Sequence, residues 1–121
     1  MRGERRCILV VEDETDLLEL LTVLLESEGY DVMQAGHGQE ALDQAEKRLP
    51  SLVLLDMKMP VMDGTLFARH FRQRHGDAVP IVVMTAADDA RKRSAEVGAA
   101  AFLGKPFELE GLVSLVRELA G

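Results

Sequence analysis

Three carboxylates in this chain close apolar runs. Asp56 follows Leu52-Val53-Leu54-Leu55, and the pair Glu12-Asp13 follows Ile8-Leu9-Val10-Val11. Aliphatic runs this short read as strands buried on both faces, as in a parallel sheet. A carboxylate directly after such a run sits at the carboxyl end of its strand, where open α/β folds place their ligands. Acids converging on one sheet edge repel one another unless a cation holds them, so the arrangement asks for a divalent metal. Two more polar residues fall at equivalent places. Thr85 comes after Ile81-Val82-Val83-Met84, and Lys105, followed by Pro106, comes after the run ending at Leu103. The parts are three carboxylates, a hydroxyl and an ammonium.

The elements that must position them alternate strictly. Strands are expected at Ile8–Val11, Asp31–Ala35, Leu52–Leu55, Ile81–Met84 and Ala100–Leu103. Helices are expected at Glu14–Ser27, Gly38–Arg48, Gly64–Arg74, Asp88–Val97 and Phe107–Leu119. Leu17, Leu18, Leu21, Leu24 and Leu25 recur at helical period, as do Leu109, Leu112, Val113, Val116 and Leu119. Gly29, Gly76 and Gly98 stand where helices would end, Asp88-Asp89 where one would be capped, and Glu108 and Glu110 where the last begins. Alternation of this kind predicts an α/β fold: a five-stranded parallel sheet, doubly wound, with helices on both faces and right-handed crossovers. Asp31–Ala35 is the most polar strand and belongs at a sheet edge.

Bulk properties narrow the function. Residues 1–121 make one domain, with no linker or low-complexity tract, and 47% apolar with 29% charged residues is globular composition. A net charge of −7 argues against direct contact with nucleic acid, whose phosphates need a basic surface. The single Cys7 cannot form an internal disulfide and reads as a buried, inert thiol in a reducing cytoplasm. No apolar stretch approaches the roughly 18 residues of a membrane span, and no signal-peptide pattern opens the chain.

The motifs Val11-Glu12-Asp13-Glu14, Asp56 to Gly64, Thr85-Ala86 and Phe102-Leu103-Gly104-Lys105-Pro106-Phe107 resemble those of response-regulator receiver domains. The likeness runs from Ile8 to Leu119, with its segments in the family's order. It implies a flavodoxin-like (βα)5 sandwich and a phosphoacceptor at Asp56, charged by a histidine kinase or phosphotransfer protein. It also implies Mg²⁺, bound by Asp13, Asp56 and the Lys58 carbonyl, with Glu12 acting through a metal-bound water. Hard oxygen donors suit that ion. Thr85 and Lys105 would bind the phosphoryl group, and the Lys105-Pro106 bond would be cis. Thr85 and Phe102 would be the switch, remodelling the face of the fourth helix, fifth strand and fifth helix. That face would meet an output protein or domain, and could support a homodimer.

Plainer readings stand beside these. Glu12 and Asp13 could cap the first helix, and Phe102 could be a core aromatic. Asp63-Gly64 reads as a turn and helix entry, His37, His70 and His75 as surface residues, and Arg91-Lys92-Arg93 as a solvated helix face. A receiver-like binding module without phosphorylation, a Mg²⁺-dependent phosphatase and a flavodoxin-like cofactor binder are the competing functions. The phosphatase would want an acid two residues after its nucleophile, where this chain has Lys58. No Gly- or hydroxyl-rich phosphate loop follows the first strand, against the cofactor binder. Lys58 and Ala87 also depart from common receiver residues, with consequences expected for the lifetime of a phosphoryl group. Phe102 lacks the hydroxyl of the tyrosine often found there. The interval from Thr85 to Gly98 is about two residues short of many receivers, which predicts a short or displaced fourth helix.

Overall fold

The computed structural model describes residues 5–57, 63–86 and 89–121. The expected positions Lys58, Ala87 and Asp88 lie outside the described residues. Along the chain, β1 (Cys7–Val11), α1 (Thr15–Ser27), β2 (Asp31–Ala35), α2 (Gly38–Lys47) and β3 (Leu52–Asp56) are followed by α3 (Gly64–His75), β4 (Ile81–Ala86), α4 (Ala90–Val97), β5 (Ala101–Lys105) and α5 (Leu109–Ala120). The strands form one parallel sheet in the order β2-β1-β3-β4-β5. The most polar strand, β2, lies at an edge as its composition requires, and β5 forms the other edge.

Two cores follow from the two-residue period of a strand. Val10, Leu54 and Val82 lie side by side in register and face Leu21 and Leu25 of α1 and Leu112 and Val116 of α5. Their chain neighbours Leu9, Val53 and Ile81 turn the other way, toward Leu42 of α2, Phe67 and Phe71 of α3 and Val97 of α4. Every residue of β1 and β3 is buried, so their aliphatic runs are explained by helices on both sides. The result is a three-layer sandwich. Its sheet order reverses between β1 and β3, the switch point beside which such sheets bind ligands.

Some boundaries differ from expectation. β4 continues through Thr85 to Ala86 and β5 through Gly104 to Lys105, because the ladder pairs Thr85 with Gly104 and Ala86 with Lys105. Thr85 and Lys105 are therefore strand residues, not loop residues. α4 begins at Ala90 and has eight residues, the shortest helix of the five. Asp89 occupies its N-cap position but makes no side-chain capping bond. Gly29, Gly76 and Gly98 follow α1, α3 and α4 with positive φ, as expected of helix ends. No helix among the described residues is long and apolar enough to cross a membrane.

The start of α3 lies close against the end of β3. Asp63 caps α3, its Oδ1 accepting from the Leu66 N–H at 3.0 Å, and the Gly64 N–H donates to the Met57 carbonyl at 3.3 Å. A Cβ at Gly64 would lie 2.5 Å from Met57 Sδ and 3.0 Å from Met57 Cα. Alanine would gain about 1 kcal/mol of helix propensity, and overpacking against backbone costs about 1–3 kcal/mol. Gly64→Ala is therefore expected to lower stability, by up to about 2 kcal/mol. A urea midpoint that rises instead would show that Met57 yields freely.

Candidate functional site

Parallel pairing brings the carboxyl ends of β1, β3, β4 and β5 to one edge, and the polar residues meet there. Glu12, just past β1, is 1% exposed, and its Oε1 lies 2.7 Å from Lys105 Nζ at the end of β5. Its Oε2 accepts from the Glu14 N–H at 3.2 Å, and its own N–H donates to the Ala35 carbonyl at 2.9 Å. The helix-capping reading of Glu12 does not hold, because the N-cap of α1 is Glu14 and no side chain caps the helix; one Glu12 oxygen meets the N–H of that residue and the other meets Lys105. Asp56 is buried at the end of β3, its Oδ1 3.8 Å from the same Nζ. Asp13 is exposed, at the mouth of the site. The Lys105-Pro106 bond is cis.

Carboxylate oxygens of Glu12, Asp13 and Asp56 lie within 4.8 Å of one another. Three carboxylates against one ammonium leave two formal negative charges, the charge that one divalent cation carries. The donors are all hard oxygens and one of them opens to solvent, which fits Mg²⁺ with part of its water shell retained. The Lys58 carbonyl, the remaining expected ligand, lies outside the described residues.

Thr85 completes the edge. It is 2% exposed and its Oγ1 has no hydrogen-bond partner among the described residues. A buried hydroxyl left unpaired costs about 1–3 kcal/mol, so this position holds a donor at the expense of stability. Such a group beside a charged cluster is placed to meet something that arrives from outside.

Other candidates fall away from this edge. Phe102 is 42% exposed on β5, so the core-aromatic reading is wrong: β5 is an edge strand and its flank is open there. The histidines are half-buried rather than surface residues. His37 caps α2, Nδ1 accepting from the Glu40 N–H at 3.2 Å, while His75 stacks on Phe71 with ring centroids 4.9 Å apart. Arg91 and Lys92 are exposed, and Arg93 pairs along the helix with Glu96 at 3.3 Å, a solvated face. Burial pushes the Cys7 thiol pKa up, which keeps it protonated and unreactive. Sequence reasoning missed the Lys105–Glu12 bond altogether. The partners are 93 residues apart, and no local pattern announces such a contact.

Residues 8–117 match the family model of the response regulator receiver domain. The chain is 42% identical over 114 residues to the response regulator MprA of Mycolicibacterium vanbaalenii, covering 93% of this chain and 49% of that protein. It is 41% identical over 115 residues to the DNA-binding response regulator MtrA of Mycobacterium tuberculosis, covering 93% and 50%. The chain thus spans about half the length of the curated relatives it matches. Among solved structures, a putative response regulator from Chloroflexus aurantiacus superposes with a TM-score of 0.88 at 34% identity, covering 97% of this chain and 98% of the other. The Vibrio cholerae chemotaxis protein CheY4 gives 0.86 at 29%, covering 96% and 99%.

Two polar groups of this edge, Thr85 and Lys105, should respond oppositely to removal. Thr85→Val deletes an unpaired hydroxyl at constant shape and is expected to leave stability unchanged or raise it. Lys105→Met strands the buried Glu12 carboxylate and is expected to cost about 1–3 kcal/mol in metal-free buffer. Urea denaturation reads both, and a Thr85→Val protein clearly weaker than wild type would mean the hydroxyl is already satisfied.

Proposed function

The chain belongs to the response-regulator receiver family of two-component signalling, and from that premise we propose that Asp56 is its phosphoacceptor. The observation that carries the reading is the company Asp56 keeps. A buried carboxylate shares one sheet edge with two further acids, an ammonium 3.8 Å away and an unpartnered hydroxyl.

In the proposed reaction, an Asp56 carboxylate oxygen forms a bond to phosphorus as the donor's phosphorus–nitrogen bond breaks. That electron pair returns to the histidine imidazole of a kinase or phosphotransfer protein. Glu12, Asp13 and Asp56 would hold Mg²⁺, which supplies positive charge for the phosphoryl oxygens when bound. Lys105 sits close enough to turn from Glu12 toward a phosphoryl oxygen, and the Thr85 hydroxyl can donate to another. The protein's part is mainly positioning and charge neutralisation. On this reading the domain acts as a phosphoacceptor switch, as its family does. Drawing Thr85 toward the phosphoryl group would free space behind it for Phe102, two rungs back along the neighbouring strand. The face of α4, β5 and α5 would then change for an output protein or domain, or for a second copy. The net charge of −7 makes nucleic acid an unsuitable partner for this domain itself. A reducing cytoplasm suits the unpaired Cys7.

A donor must cover the ground beside Asp56. A groove of about 560 Å³ opens beside Lys105, lined also by Leu17 and Leu20 of α1, Pro106 and Leu109. Leu20 is 47% exposed and Val23 on the same helix 66%, an apolar strip with no use inside this domain. The charged residues of α1 are Asp16, Glu19 and Glu26, all acidic. The donor surface that fits is apolar at its centre with lysine or arginine at its rim.

Incubation with Mg²⁺ and acetyl phosphate is expected to add a phosphoryl group that Asp56→Asn abolishes, read by intact mass. A wild-type protein that never takes up phosphate from acetyl phosphate or from a phosphorylated histidine protein would leave only the binding-module reading. Leu20→Lys is expected to slow transfer from a protein donor by about tenfold and to leave the acetyl phosphate rate unchanged. Equal slowing of both would place Leu20 in the chemistry instead of the docking.

A further inference from the structure

β2 is an edge of the sheet, paired with β1. Its Asp31 N–H donates to the Arg6 carbonyl, and its Ala35 carbonyl accepts from the Glu12 N–H, both at 2.9 Å. The main-chain groups of Asp31, Met33 and Ala35 therefore face β1, and those of Val32, Gln34 and, just past the strand, Gly36 face outward. An open edge of this kind invites another strand. Beside it lies a groove of about 660 Å³ between α1 and α2, with Leu18, Thr22, Val32, Gln34, Glu40 and Gln44 on its walls.

Helix α2 closes that edge with residues spaced by four. Glu40 Oε1 accepts from the Gly36 N–H at 2.6 Å, and Gln44 Nε2 donates to the Gln34 carbonyl at 3.1 Å. Arg48 continues the row past the last turn, its Nη1 2.9 Å from Asp31 Oδ2. Residues four apart share one side of a helix, so the row runs along β2 in the opposite direction. From the other flank, Thr22 of α1 holds the Gln34 side chain, whose Nε2 donates to Oγ1 at 2.8 Å. Glu40 also belongs to the start of α2, where His37 caps its N–H. Gln44 lies in the second half of the helix, and its bond to Gln34 serves no helix start.

The two main-chain groups held by α2 are ones that self-pairing needs. An antiparallel match of two β2 strands about a twofold axis, centred on Gln34, sets Gln34 against Gln34 of the second copy and Gly36 against Val32. Each such pair exchanges two bonds from N–H to carbonyl, so the match draws on the Gln34 carbonyl and the Gly36 N–H of both copies. A twofold contact also closes on itself and stops at two chains. We propose that the outer edge of β2 is a pairing surface for a second copy of this chain, kept shut by Glu40 and Gln44. It lies on the opposite side of the sheet from β5 and does not depend on the phosphoacceptor reading.

Sedimentation without Mg²⁺ or a phosphodonor tests this on wild type, on Glu40→Ala/Gln44→Ala, and on the same double variant carrying Gln34→Pro. Alanine keeps α2 helical. Proline at position 34 removes an N–H that faces away from β1, which an edge strand tolerates. The double variant is expected to self-associate about tenfold or more tightly than wild type, and Gln34→Pro to return it to the wild-type level. Amide exchange in dilute protein gives a second readout. The Gly36 amide is expected to exchange about tenfold faster in Glu40→Ala, and at the wild-type rate in Glu40→Gln, which keeps the acceptor. A double variant that associates no more than wild type overturns the proposal. Association that survives Gln34→Pro does so too, because the new contact then lies elsewhere. A Gly36 amide indifferent to Glu40→Ala removes Glu40 from the closure and overturns the proposal as stated.

Discussion

Like charges gathered on one sheet edge are the constraint around which this domain is built. Glu12 is almost wholly buried, and a carboxylate in such a place loses several kcal/mol of hydration unless a partner is supplied. Lys105 supplies it at 2.7 Å, while still close to Asp56. To do so the Lys105 and Glu12 side chains must reach toward each other across the ends of β4 and β3, since those strands lie between β5 and β1. The ion pair therefore lies across the site like a strap. It can be made only if four strands hold their register to within a residue, because a one-residue slip would turn Lys105 to the other face.

That precision comes from packing rather than from the polar groups. Alternate side chains of β1, β3 and β4 are locked on one face by α1 and α5 and on the other by α2, α3 and α4. Both faces are dense with branched aliphatics in register, and a shift would bury nothing new while breaking every contact. The core's surplus stability lets the edge carry features that cost free energy, namely the acid cluster and the unpaired Thr85 hydroxyl. A ligand that meets those unmet groups would be bound by the energy they release.

Much of this was legible along the chain. Short aliphatic runs alternating with helical periods could make little else than a parallel sheet covered on both faces, and acids at the ends of such runs had to share an edge. Asp63-Gly64 read correctly as a helix entry, and β2 as an edge strand, because capping chemistry and polarity are local properties. The errors have local causes too. Thr85 and Lys105 were expected beyond their strands because apolarity stops before them. The ladder, however, is made by main-chain groups and continues regardless of side chain. Asp89 has the chemistry of a cap but not its bond, and Phe102 has the apolarity of a core residue but sits on an edge strand's open flank.

What the sequence determined by itself was the kind of fold and which residues would carry charge at its working edge, since both follow from periodicity and from where each run stops. Tertiary structure alone decided which of those charges pair. Glu12 joins Lys105 across 93 residues and Arg72 answers the Val97 and Gly98 carbonyls 25 and 26 residues away. Those choices depend on distance and direction in space, which only the closed sheet and its packed helices define.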